Sequence, residues 1–159
     1  YGSGKADWTK PGFVTEEVSK KIELVDGKKI STVEVTIKNP KRPDWYTIDP
    51  CCFYRAYDRI YVPLGSKMVS ITASDGQDTH GATFDDQVLG KTYLESFVVV
   101  KKETDVKLTY VYELPDTVDL DNYKILIQRQ SGKTNDPYVI EAKGKKEEFL
   151  LNSDKELSF

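Results

Sequence analysis

Glu17-Val-Ser-Lys-Lys-Ile-Glu-Leu-Val-Asp-Gly-Lys-Lys-Ile-Ser-Thr-Val-Glu-Val-Thr-Ile-Lys38 decides the fold class. Val18, Ile22 and Leu24 fall on one side of an alternating run, with Lys20 the exception. Glu17, Ser19, Lys21 and Glu23 fall on the other. A period of two marks a half-buried strand, because successive side chains on a pleated backbone point to opposite faces. Asp26-Gly27 interrupts the run, and Val33, Val35 and Ile37 then restore the alternation. A type I′ turn needs two residues at positive φ, and Asp-Gly supplies them at low cost. The stretch therefore reads as a β-hairpin.

The same grammar recurs outward from this hairpin. Strands are predicted over Arg55 to Val62, stopped by Pro63, and over Lys67 to Ser74, with Val69, Ile71 and Ala73 on one face. Further strands are predicted over Gln87 to Lys101, Val106 to Leu114, Tyr123 to Gln130 and Tyr138 to Lys143. A last hairpin is predicted from Glu147 to Leu151 and Lys155 to Phe159, turning at Asn152-Ser153-Asp154. Pro40, Pro43 and Pro50 make the segment from Asn39 to Pro50 a loop, since proline cannot donate to a ladder. Asp75 to Asp86 reads as a polar loop. No segment carries a helical period with caps at both ends. The expectation is an all-β antiparallel β-sandwich of about eight to ten strands, with an open β-barrel as the alternative. Residues 1–13, with Gly2, Gly4, Pro11 and Gly12, are expected to form a loose N-terminal lead-in, and 14–159 a single β-sandwich domain.

Composition agrees with this pattern. The chain has 159 residues, which suits one domain. Ten Tyr, six Phe and two Trp add bulk that favours strands. The formal charge of −3 and pI near 5.3 come from interspersed charges of both signs. A nucleic-acid surface would need a basic stripe, so no nucleic-acid partner is expected. No apolar run approaches the ~20 residues that span a bilayer, so no membrane insertion by this segment is expected. The chain opens on Tyr1-Gly-Ser-Gly4. That opening suggests a piece of a longer protein.

Several phrases share an order and spacing that resembles a known family. They are Arg59-Ile-Tyr-Val-Pro-Leu-Gly-Ser66, Leu89-Gly-Lys-Thr92 with Phe97, Tyr110-Val-Tyr-Glu-Leu-Pro115, and Tyr123-Lys-Ile-Leu-Ile-Gln-Arg-Gln-Ser-Gly132 with Asp136-Pro137. Over roughly residues 55–145 they resemble the C-terminal region of a bacterial envelope protein family known as domain of unknown function 4012. The resemblance implies an extracellular module at the bacterial cell envelope, carried by a larger membrane-anchored protein. It implies no reaction. Its partners would be other domains of a longer parent chain, or envelope components.

Four clusters could carry chemistry. Asp75, Asp78, Asp85 and Asp86 crowd one predicted loop, and calcium takes six to eight oxygens from such loops. The spacing does not fit the twelve-residue helix–loop–helix calcium pattern, and turn formation explains the aspartates as well. A calcium ion is the cofactor these residues would take, and none is required. Cys51 and Cys52 are the only cysteines. A bridge between them would be strained, because neighbouring Cα atoms lie about 3.8 Å apart where disulfides prefer about 5.5–6 Å. Bridge and free thiols both stay open. Trp45 and Tyr46 in the proline-rich loop, with Tyr54 just beyond it, are the aromatic residues expected to meet a glycan or a partner. Lys20, a lysine on an apolar strand face, hints at a buried Lys–Asn cross-link.

Catalysis finds little support. His80 is the only histidine and sits in a predicted loop, so a nucleophile triad would hang on one mobile base. The expectation is no enzyme. The chain reads as a non-enzymatic structural or protein-interaction module of a bacterial cell-surface protein. The alternative is a glycan-binding, calcium-assisted module of the same surface.

Overall fold

The computed structural model describes residues 2–5, 14–41, 53–130, 133 and 135–159. Trp45, Tyr46, Cys51 and Cys52 lie outside the described residues. The decisive stretch forms β2 (Thr15–Val25) and β3 (Lys28–Asn39), paired in register from Thr15 with Lys38 to Val25 with Lys28. Asp26 and Gly27 have φ of 50° and 77°, the two positive angles a type I′ turn demands. Val18 and Ile22 are buried, as expected, but Leu24 at the end of β2 is exposed.

Ten further strands follow among the described residues. They are β1 (Gly2–Lys5), β4 (Phe53–Pro63), β5 (Lys67–Ala73), β6 (Ala82–Asp86) and β7 (Lys91–Lys101). Then come β8 (Thr104–Glu113), β9 (Lys124–Ile127), β10 (Asp136–Ala142), β11 (Lys145–Leu151) and β12 (Lys155–Ser158). A six-stranded sheet runs β11-β10-β2-β3-β8-β5 and a four-stranded sheet runs β1-β4-β7-β6. The pair β12-β9 forms a third, small sheet. No sheet among the described residues closes into a barrel, and the fold is a β-sandwich. Among the described residues every pairing is antiparallel except that of β10 with β2.

The core lies where β7 crosses β3, β8 and β5. Val33, Val35, Ile37, Leu108, Tyr110 and Tyr112 face it from the large sheet. Ala56, Ile60, Val62, Leu94, Val98 and Val100 face it from the small one. These residues alternate along their strands, so each strand gives its other face to solvent or to a partner. At one end Tyr123 and Phe159, with centroids 6.5 Å apart, join β9 and β12 to the core.

Four sequence expectations need correction. Ala82–Asp86 is a strand inside the predicted polar loop, because the run Ala-Thr-Phe-Asp-Asp finds an open edge on β7. The last two strands do not pair with each other: β11 joins β10 and β12 joins β9. The tight turn that recruits β11 is Lys143-Gly144, again with two positive φ angles (53° and 72°). Residues 2–5 of the predicted lead-in pair with β4 as an edge strand. Finally, β5 carries a bulge between Met68 and Ser70, which leaves Val69 exposed instead of sharing a face with Ile71 and Ala73.

Candidate interaction face

Residues 56, 58, 60 and 62 of β4 point into the core, so 53, 55, 57, 59 and 61 point out. The matching outward residues of β7 are Tyr93, Glu95, Phe97 and Val99, and on β6 Ala82, Phe84 and Asp86. Register then sets these side chains in rows across the sheet. Tyr61 lies opposite Tyr93, and Tyr93 opposite Phe84. Their centroids are 5.7 and 5.3 Å apart, with the Phe84 and Tyr93 rings stacked at 28°. Aromatic pairs at this spacing add about 0.5–1.5 kcal/mol beyond area burial. Tyr61 and Phe84 nevertheless stay 40 % and 46 % exposed.

A charged row runs beside the aromatic one. Arg59 Nη2 donates to Glu95 at 2.9 Å, and the Arg59 guanidinium sits 4.3 Å over the Tyr93 ring. The Tyr57 hydroxyl donates to the same carboxylate of Glu95. The Tyr57 hydroxyl first, and the Arg59 guanidinium with it, hold the Glu95 carboxyl below its ordinary range. Around the face, Arg55, Lys91 and Lys101 are exposed, and Asp86 is the carboxylate that Arg59 does not neutralise. The face thus sets an aromatic row beside a self-paired charged row, with basic side chains towards both ends. At its lower edge the β6–β7 turn presents Val88, 95 % exposed, with Leu89 beside it. Leu64 is exposed in the neighbouring turn, where the Ser66 amide donates to the Pro63 carbonyl at 3.1 Å.

Of the predicted site residues, Tyr54 and the four aspartates are described, and they fall off this face or at its turns. Tyr54 is even-numbered on β4 and packs half-buried against the core. The exposed rings of β4 are its odd-numbered neighbours Phe53, Tyr57 and Tyr61. The alternation of β4 carries that distinction; aromatic density alone does not. Three of the four aspartates cap separate turns, and the fourth binds a hydroxyl on the neighbouring strand. Asp75 accepts from the Gln77 amide, Asp78 from the His80 amide, and Asp86 from the amides of Val88 and Leu89. Asp85 accepts from the Thr92 hydroxyl at 2.6 Å. Among the described residues no group of three or more His, Cys, Asp or Glu is arranged to hold a metal ion. Lys20 donates to the Tyr112 hydroxyl at 2.7 Å and lies 5.4 Å from that ring. Burial opposes its charge, but the phenols of Tyr112 and Tyr123 outweigh burial and hold its pKa up at about 12. Lys20 has a phenol partner in place of the Asn that a cross-link would need.

A second constellation lies inside the sandwich and escaped the sequence reading. Asp58 on β4 and Glu16 on β2 enter the interlayer from opposite sheets, and both are buried. Tyr110 spans the layers: its hydroxyl donates to Asp58 Oδ2 at 3.2 Å and shares a 2.7 Å hydrogen bond with Ser96. Burial, and then the Glu16 charge, push the Asp58 carboxyl up to about 7. The Lys133 ammonium, nearly buried, pairs with Glu16. Burial raises the Tyr110 and Tyr138 phenols in the same region. The signal in the sequence was an acid at an inward position of each strand, Glu16 beside Val18 and Asp58 beside Ile60.

A cavity of about 250 Å³ beside Tyr123 and Ala142 is rimmed by Lys21, Glu23, Glu141 and Lys143. Lys21 and Glu23 pair at 2.7 Å, so this rim is self-neutralising. No helix among the described residues is long and apolar enough to cross a membrane. No protein-family model matches the chain, and no curated protein does.

Proposed function

We propose that this chain is a non-enzymatic structural and protein-interaction module of a bacterial cell-surface protein, with the outer face of its four-stranded sheet as the contact surface. One observation carries the reading. Tyr61, Tyr93 and Phe84 form a row of packed rings across the face, and Val88, Leu89 and Leu64 are exposed in the two turns at its lower edge. Exposed apolar surface of this kind, rimmed by polar groups, is the mark of a protein contact.

Ring orientation favours a protein over a sugar. A sugar stacks on an open ring face. Here Phe84 and Tyr93 turn their faces to each other, and Arg59 covers Tyr93. The rim adds charge selectivity: Arg55, Lys91 and Lys101 favour a partner with an acidic border. The non-enzymatic part of the reading rests on placement. The displaced carboxyl, Asp58, is enclosed in the core, and Glu95 is neutralised on an open sheet face.

The test is co-sedimentation with a bacterial envelope fraction, using the parent chain and a Tyr61→Ser/Phe84→Ser variant. Retention that the variant loses, and that protease treatment of the envelope abolishes, is the expected result. Retention that survives protease treatment and is displaced by purified cell-wall glycan would replace this reading with the glycan-binding one. Equal behaviour of parent and variant would remove the face from the account.

A further inference from the structure

We propose that Lys133 and Glu16 form a covalent amide cross-link inside the folded sandwich, with Asp58 supplying the proton that releases water. The observation behind it is the buried Lys133–Glu16 pair, whose ammonium and carboxylate are in direct contact between the two layers. Burying such a pair strips both ions of their hydration, and a neutral amide removes both charges from the core. Lys133 is also held in place for the reaction. Its amide donates to the Gln130 carbonyl at 3.1 Å, and its own carbonyl accepts from Arg129 Nη1 at 3.1 Å.

The step balances within these residues. Lys133 Nζ passes a proton to the Glu16 carboxylate and becomes a free amine, and Glu16 becomes a neutral acid. The amine lone pair attacks Glu16 Cδ. Asp58, on the facing sheet, gives its proton to the leaving hydroxyl and recovers one from nitrogen. One C–N bond forms, one C–O bond breaks, and one water leaves. No oxidant or co-reactant is needed.

Asp58 suits this role on geometry. It is fully buried on the facing sheet, close enough for the Glu16 and Lys133 charges to act on it, Tyr110 donates to its Oδ2, and its Oδ1 has no hydrogen-bond partner. Its elevated proton affinity leaves it partly protonated at neutral pH, which is where general acids work best. The product would tie the start of β2 to the segment entering β10, its parallel neighbour in the large sheet.

Intact mass spectrometry of the reduced, folded chain decides the matter. The expected mass is one water below the sequence mass, and a protease digest should yield a branched peptide joining Glu16 to Lys133. Lys133→Met and Lys133→Arg should each restore the full mass while circular dichroism still reports the sandwich. Asp58→Asn should slow the appearance of the deficit. A wild-type chain at its full sequence mass after prolonged folding overturns the proposal. So does a deficit that persists in both Lys133 variants, which would place the dehydration at Asp26-Gly27 or Asp75-Gly76. An unchanged rate in Asp58→Asn would remove Asp58 from the step.

Discussion

Replacing Asp58 by Asn should flatten the dependence of stability on pH. Asp58 is buried, and its carboxyl is pushed from an ordinary value of 3.8 to about 7, first by burial and then by Glu16. The native state therefore binds this proton more tightly than the unfolded chain does. Between the two pKa values the folded protein holds a proton that the unfolded chain has released. Stability from this group is full below the unfolded pKa and is lost as pH rises through about 7. Three pKa units at about 1.36 kcal/mol each give a loss of roughly 4 kcal/mol between pH 4 and pH 8. Asn keeps the shape and cannot ionise. Urea unfolding of both proteins at pH 4.5, 6 and 8, each carrying Lys133→Met so that no cross-link forms, isolates the group, because every other titration is then common to the pair. The protein that keeps Asp58 should lose stability relative to Asp58→Asn at each step up in pH. Parallel curves would mean that Asp58 is ionised in the folded state, and the description of the buried cluster would fail.

Other consequences are smaller or more local. Tyr110→Phe removes the hydroxyl that joins Asp58 to Ser96 across the layers, and should cost about 1–3 kcal/mol by chemical denaturation. Leu108→Ala opens a cavity at a fully buried position between the sheets, and should cost about 2–5 kcal/mol in the same assay. Gly65 has φ of 85° at the turn closing β4, so Gly65→Ala should cost about 1–2 kcal/mol even though the nearest side-chain atom lies 4.0 Å away. Asp75, Asp78, Asp85 and Asp86 are each committed to a separate turn or hydroxyl. The melting temperature should therefore be the same in calcium and in a chelator.

Local features of the fold were legible in the sequence, and long-range ones were not. Asp26-Gly27 announced its hairpin because a type I′ turn is a property of two residues. The alternating Val33, Val35 and Ile37 announced a core face for the same local reason. Strand partners depend on residues far apart. Lys145–Leu151 and Lys155–Ser158 looked like a hairpin, yet each finds a better partner elsewhere. β6 was hidden because its aspartates and threonine read as turn residues until an edge of β7 is available. Among candidate site residues, Tyr54 was misread for want of a face: its neighbours Tyr57 and Tyr61 differ from it only by parity along β4. The Asp58, Glu16 and Lys133 cluster joins three distant segments, and nothing local in the sequence brings them together.

Oxidative footprinting of the aromatic residues, with and without a bacterial envelope fraction, tests the central claim most directly. The account predicts that Tyr61 and Phe84 react in the free protein and become protected on the envelope. Tyr112, fully buried, should stay unreactive in both. Tyr61 and Phe84 that react equally in both conditions would contradict the assignment of this sheet face as the contact surface.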